Sequence, residues 1–167
     1  GVAMGITGPD VSKEASKMIL TDDNFATIVK AVENGRIVYA NIRKFVRFLL
    51  SANFGEILIV ALVVLLGYPS PILPLQILWI NLLTDALPAV ALGFDTGEKG
   101  LMQQKPRSQN EGILKELIAV ALLAGLIATV ICLFVYFRYL DNFSIEYVRT
   151  MVFTTIVVFE LVVVFSL

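Results

Sequence analysis

Asn81, Thr84 and Asp85 stand at i, i+3 and i+4 inside WINLLTDALP, a segment flanked by the apolar stretches PILPLQIL and AVALGF. Asn53 and Glu56 stand three residues apart in a second apolar stretch, and Glu160 lies inside a third. Spacings of three and four put side chains on one face of a helix. A charged Asp at the centre of a bilayer costs about 2.5–3.5 kcal/mol even on lenient insertion scales. No Lys or Arg sits at comparable depth to pair with Glu56, Asp85 or Glu160. Carboxylate, amide and hydroxyl oxygens without Cys or His make the ligand set of a hard cation such as Ca²⁺. Two plainer readings compete: Asn and Thr as hydrogen-bonding glue between helices, and carboxyls kept protonated by burial. Three acids accompanied by amides and a hydroxyl on matching faces favour the cation. Pro88 opposes the carbonyl of Thr84, and local unwinding there would help aim oxygens at an ion; an ordinary helix kink is the plainer reading.

The composition says what must hold these residues. Hydrophobic residues make up 57% of the 167, above the roughly 45–50% of a soluble domain. Net charge is −1, so no basic excess points to nucleic acid. The single cysteine, Cys132, allows no disulfide framework, and the absence of histidine removes the commonest transition-metal ligand and proton shuttle. Cys132, Phe134, Tyr136, Phe137 and Met151 read as packing or lipid-facing residues. GVAMGITG has glycines but no Lys-Ser/Thr ending, so it is not a P-loop.

The apolar residues gather in four blocks, 48–67, 72–94, 113–137 and 147–167, each long enough to cross a core of about 30 Å. Residues 1–24 read as strand, turn, short helix and strand, the edge of an α/β domain closed by the capping residues Asp22, Asp23 and Asn24. From Phe25 an apolar residue recurs every three to five positions without a proline, which predicts a long helix whose segment 25–47 precedes the first span. Gly35 is the point where it could break. Arg36, Arg43, Lys44 and Arg47 precede the first span, GYPSP after it carries no Lys or Arg, and Lys99, Lys105, Arg107 and Lys115 follow the second. By the positive-inside rule, the N-terminal segment and the loop 95–112 are cytoplasmic in a multi-pass membrane protein. The sequence opens on Gly1 without an initiator Met and closes in VVVFSL within an apolar run, which reads as a piece of a longer chain with its fourth span truncated.

GVAMGITGPDVSKEASKMILTDDNFATIVKAVENGR resembles the end of the phosphorylation domain of P-type cation-transporting ATPases, and RKFVRFLLSANFGE resembles their stalk and fifth membrane helix. PLQILWINLLTDALPAVALGFD, with LMQQKPR after it, resembles the sixth helix and the following loop. SANFGE together with WINLLTDALPA is similar to the Ca²⁺-transporting branch, and an acid at Glu56 to its reticulum-type, two-site members. The resemblance implies that Asn53, Glu56, Asn81, Thr84, Asp85 and Glu160 are Ca²⁺ ligands, Glu160 being placed by TMVFTTIVVFE. It also implies parts that this sequence lacks: the Asp-Lys-Thr-Gly-Thr motif, the nucleotide-binding domain, the Thr-Gly-Glu loop, the Gly-Asp-Gly motif and the Pro-Glu-Gly-Leu helix.

The expectation is a mainly α fold: four transmembrane helices, a stalk helix and a remnant α/β edge. Its role would be the ion-translocating part of an ATP-driven calcium pump, inactive as an ATPase by itself. Ca²⁺ would be the transported ion, with ATP and Mg²⁺ bound only by the full-length parent. The partners would be the lipid bilayer and the missing domains of the same pump. The alternatives are a proton- or sodium-coupled secondary transporter using the same carboxylates, and a non-transporting segment that regulates a complete pump.

Overall fold

A computed structural model of the chain describes residues 1–97, 100–105 and 113–167. The described chain is mainly helical, with a two-stranded sheet near the N-terminus. It divides into two compact units, Gly1–Ala40 with Thr96–Pro106, and Asn41–Asp95 with Arg107–Leu167. The loop read as 95–112 falls partly outside the described residues, as do Lys99 and Arg107 from the charge bias.

In the first unit, strand β1 (Val2–Met4) pairs in parallel with β2 (Met18–Leu20), Ala3 opposite Ile19. The short helix α1 (Asp10–Ala15) forms the crossover, as parallel strands require. Asp23, at φ 49°, closes the turn after β2. Its carboxylate accepts the Ile6 N–H at 2.9 Å, the Thr7 N–H at 2.7 Å and the Thr7 hydroxyl at 2.6 Å. These donors, the Ile6 amide foremost, favour the charged form and hold the Asp23 carboxyl down at about 2. Asn24 Oδ1 accepts the Ala26 N–H at 2.9 Å, satisfying one of the orphan donors where helix α2 (Ala26–Leu65) begins. Helix α2 runs for 40 residues and passes through Gly35 unbroken, so that glycine's propensity cost is absorbed by the helix around it. Arg36 Nη1 donates to the carbonyls of Leu101 and Gln104, holding the turn of 3₁₀ helix at Leu101–Gln103.

The second unit holds the rest of α2, then α3 (Pro74–Trp79), a π-helical turn (Ile80–Asp85), α4 (Ala86–Gly93), α5 (Ile113–Leu140) and α6 (Ile145–Phe165). Among the described residues four helical stretches are long and apolar enough to span a membrane: Ala26–Leu65, Pro74–Gly93, Leu117–Leu140 and Ile145–Phe165. Ser144 caps α6 by accepting the Tyr147 N–H at 3.4 Å. Ile59, Val63, Ile72, Ile80, Cys132, Tyr136, Val148, Val152 and Ile156 form one buried cluster that joins these helices. Cys132 is thus a packing residue. Trp79 stays 46% exposed and meets Phe153 edge-on at 5.5 Å.

Candidate functional site

Pro88 has no N–H to offer the carbonyl of Thr84, and its ring crowds that carbonyl. The helix responds over the preceding turn, where INLLTD adopts the wider π geometry. An irregularity thus exists N-terminal to Pro88 and occupies the residues that carry the oxygens. Thr84 and Asp85 are buried, Asp85 to 2% exposure, while Leu82 and Leu83 stay exposed. Asn81 is half-buried and bridges to α2: its Nδ2 donates to Glu56 Oε2 at 3.2 Å and to the carbonyl of Ile77 at 3.0 Å. The Thr84 hydroxyl donates to the carbonyl of Ile80 at 2.9 Å, leaving its oxygen lone pairs to accept or ligate.

Glu56 is 6% exposed and Glu160 2% exposed. Glu56 and Glu160 line one cavity of about 10 Å³, with Ala52, Gly55, Thr129 and Cys132 in its walls, room for roughly one water. The Asp85 carboxylate lies within electrostatic reach of both. Among the described residues Glu56 Oε1 and both oxygens of Asp85 and of Glu160 are buried without a well-aligned hydrogen bond, the Thr84 hydroxyl being the polar neighbour of Glu160. The one other such side-chain atom among the described residues is Arg47 Nε. Ionised carboxylate oxygens only accept, and burying them unmatched is costly. The described ion pairs, Lys13–Asp10 at 3.4 Å and Lys44–Asp95 at 2.9 Å, involve none of these acids. Among the described residues no three acidic or cysteine side chains form a self-contained metal centre.

The structure therefore brings Glu56, Asn81, Asp85 and Glu160 into one neighbourhood, with Thr84 beside Asp85. Asn53 stands three residues before Glu56 on α2, and its Nδ2 donates back to the Leu49 carbonyl of its own helix at 2.9 Å, as Asn81 Nδ2 does to that of Ile77.

Three further residues shape the site. A methyl group added at Gly125 would fall 2.8 Å from Phe54 Cδ1, 2.9 Å from the Ser51 carbonyl oxygen and 3.0 Å from Gly55 N. Helices α2 and α5 thus touch backbone to backbone at Gly55 and Gly125, one residue from Glu56. Thr129, 1% exposed, donates to the Gly125 carbonyl at 2.8 Å and lies 3.4 Å from that of Gly55. The spacing of Ser51 and Gly55, and of Gly125 and Thr129, is the small-xxx-small signature of close membrane helices, and it was available in the sequence.

Residues 69–167 match the family described as "Cation transporting ATPase, C-terminus". The chain is 46% identical to a "Calcium-transporting ATPase" of Bacillus subtilis over 99% of its own length and 19% of that protein. It is 45% identical to the "Calcium-transporting ATPase 2, endoplasmic reticulum-type" of Arabidopsis thaliana over 72% of this chain and 11% of that protein. With the "Calcium-transporting ATPase type 2C member 1" of Pongo abelii it shares 43% identity over 96% of this chain and 18% of that protein. The chain spans about a fifth or less of the length of these relatives.

Proposed function

The chain belongs to the cation-transporting ATPase family and is a multi-pass membrane protein, and from this premise we propose that it forms the ion-translocating portion of an ATP-driven calcium pump. The observation that carries the proposal is the set of buried carboxylates on Glu56, Asp85 and Glu160, contributed by α2, the π turn and α6, with five oxygens that no well-aligned hydrogen bond satisfies among the described residues. A divalent cation is the partner that satisfies acceptor-only oxygens at membrane depth where no described Lys or Arg pairs with them. Each ion would draw on one or two of the carboxylates, with the Thr84 hydroxyl and the oxygens of Asn81 and Asn53 completing its shell. The π turn is the adaptable part, because its wider winding lets side-chain and backbone oxygens re-aim at small cost. The rest of a longer polypeptide would bind ATP and Mg²⁺, and residues 1–24 would belong to its phosphorylation domain.

Coupling requires two states that hold the ion differently. Helix α2 carries Glu56 and begins directly after the Asp22–Asn24 turn. A displacement of its first turns would shift Glu56 relative to Asn81 and so change affinity. In this orientation residues 1–47 and 95–112 face the cytoplasm.

The test is ATP-driven uptake of ⁴⁵Ca²⁺ into sealed vesicles bearing the longer polypeptide that includes this sequence. Uptake that needs ATP and is lost in Glu56→Gln is the expected result. The cavity shared by Glu56 and Glu160 favours a second reading, a proton relay. Ca²⁺ uptake driven by an imposed pH gradient without ATP would replace the pump with that reading.

A further inference from the structure

The turn that joins the first and second spans is built around prolines. Helix α2 ends in a pair of reverse hydrogen bonds, Tyr68 N–H to the Val63 carbonyl at 3.1 Å and Gly67 N–H to that of Val64 at 3.0 Å, with Gly67 at φ 82°. Pro69 and Pro71 follow and have no N–H, so the turn is rich in carbonyls and poor in donors. Buried carbonyls need donors from elsewhere. Two arrive from the other pair of helices. The Tyr136 hydroxyl of α5 donates to the Pro69 carbonyl at 2.6 Å, and Arg149 Nε of α6 donates to the Ser70 carbonyl at 3.0 Å. Tyr136 is wholly buried, and its ring belongs to the same apolar cluster as Val63 and Ile72.

We propose that Tyr136 and Arg149 are positioning residues forming a far-side latch: they pin the Gly67–Pro71 turn against α5 and α6 and keep the apolar cluster around Val63 closed beneath the ion site. Glu56 lies on the same helix as Ile59 and Val63, one and two turns before them, so this cluster separates the carboxylates from the end of the helix. Water or an ion reaching Glu56 from that end must part Val63 and Ile72. That parting moves the turn, which the two side chains hold by its carbonyls. Opening toward the far side therefore breaks both hydrogen bonds, and their loss favours the open state. The latch rests on the proposed transport function, since a far side matters only to a protein that alternates access.

The test places a reporter in the seal. Val63→Cys, in a Cys132→Ser background of the longer polypeptide reconstituted in vesicles, is reacted with a small membrane-impermeant thiol reagent added from the far side. Tyr136→Phe removes one hydroxyl and keeps the ring; Arg149→Met keeps an unbranched stem and removes every donor. Each should raise the modification rate about two- to tenfold, the shift in population that one net hydrogen bond supports, and the double variant more. ⁴⁵Ca²⁺ affinity from the cytoplasmic side should stay within about threefold, which separates a latch from a general loosening of the site. Unchanged reactivity in both variants overturns the proposal, as does an equal rise at a reporter at Phe143, exposed in the turn between α5 and α6. If Tyr136→Phe fails to fold, the Arg149→Met result decides by itself. The reactivity readout needs no bound Ca²⁺, so a failure of the cation site in Asp85→Asn leaves the latch result interpretable.

Discussion

Asn81 Nδ2 lies 3.2 Å from Glu56 Oε2, an amide-to-carboxylate hydrogen bond that ties the π turn to α2. It orients the carboxylate while its second oxygen, Oε1, remains without a partner. The two residues should therefore act as a unit. Glu56→Gln removes a charge and should weaken Ca²⁺ binding about a hundredfold, and Asn81→Ala about tenfold. In the double variant the two losses should fall short of their sum by about 0.5–3 kcal/mol. Binding isotherms on the solubilised longer polypeptide give these values. Strict additivity would mean that the amide does not position the carboxylate.

Glycine replacements should rank by the space around them. Gly125→Ala forces a methyl against the Ser51 carbonyl and Gly55 N, backbone atoms that yield little, and should cost about 1–3 kcal/mol. At Gly55 the methyl would meet the Gly125 carbonyl at 3.3 Å and Ala128 Cβ at 3.4 Å, so Gly55→Ala should cost less. Gly35 sits mid-helix in open space, and Gly35→Ala should stabilise by about 0.4–1 kcal/mol. Thermal melting of the three variants in one detergent orders them. A Gly125→Ala protein as stable as the parent would deny the close crossing of α2 and α5.

Orientation follows from the Lys and Arg bias and is open to direct labelling. In a Cys132→Ser background, Gln104→Cys should react with an impermeant thiol reagent from the cytoplasmic side, and Leu73→Cys from the opposite side. Leu73 suits the purpose because it is 42% exposed, whereas the Ser70 hydroxyl is engaged with the Ile72 carbonyl at 2.7 Å. Reaction of Gln104→Cys from the outside would invert the proposed topology.

Local signals in the sequence carried much of this far. Four apolar stretches and the strand–helix–strand start foretold a mainly helical membrane fold, because hydropathy and length are local properties. The i, i+3, i+4 spacing singled out Asn81, Thr84 and Asp85, yet it presumed an α-helix; the π turn changes which way each side chain points, and only Pro88 hinted at it. Asn53 has the spacing from Glu56 for a shared face, and its Nδ2 is used on the Leu49 carbonyl within the same helix, a local bond that spacing alone does not foretell. The Gly55–Gly125 crossing, Thr129 and the reach of Tyr136 and Arg149 to the Pro69–Ser70 turn depend on how distant helices register. No local pattern encodes that register, although the small residues marked where close approach was affordable.

Asp85 is the residue at which a cation on the membrane carboxylates can be tested without a second change in the site. Its two oxygens are buried and partnerless, and it lies within electrostatic reach of both Glu56 and Glu160. Asp85→Asn keeps the shape and removes the charge. The decisive measurement is equilibrium ⁴⁵Ca²⁺ binding to the longer polypeptide at neutral pH without ATP, parent against Asp85→Asn. Affinity should be weaker by about a hundredfold or more in the variant, the scale of removing one partner from a buried ionic contact. Binding within threefold of the parent would rule out a cation held by Asp85 and leave these carboxylates as proton carriers or helix glue.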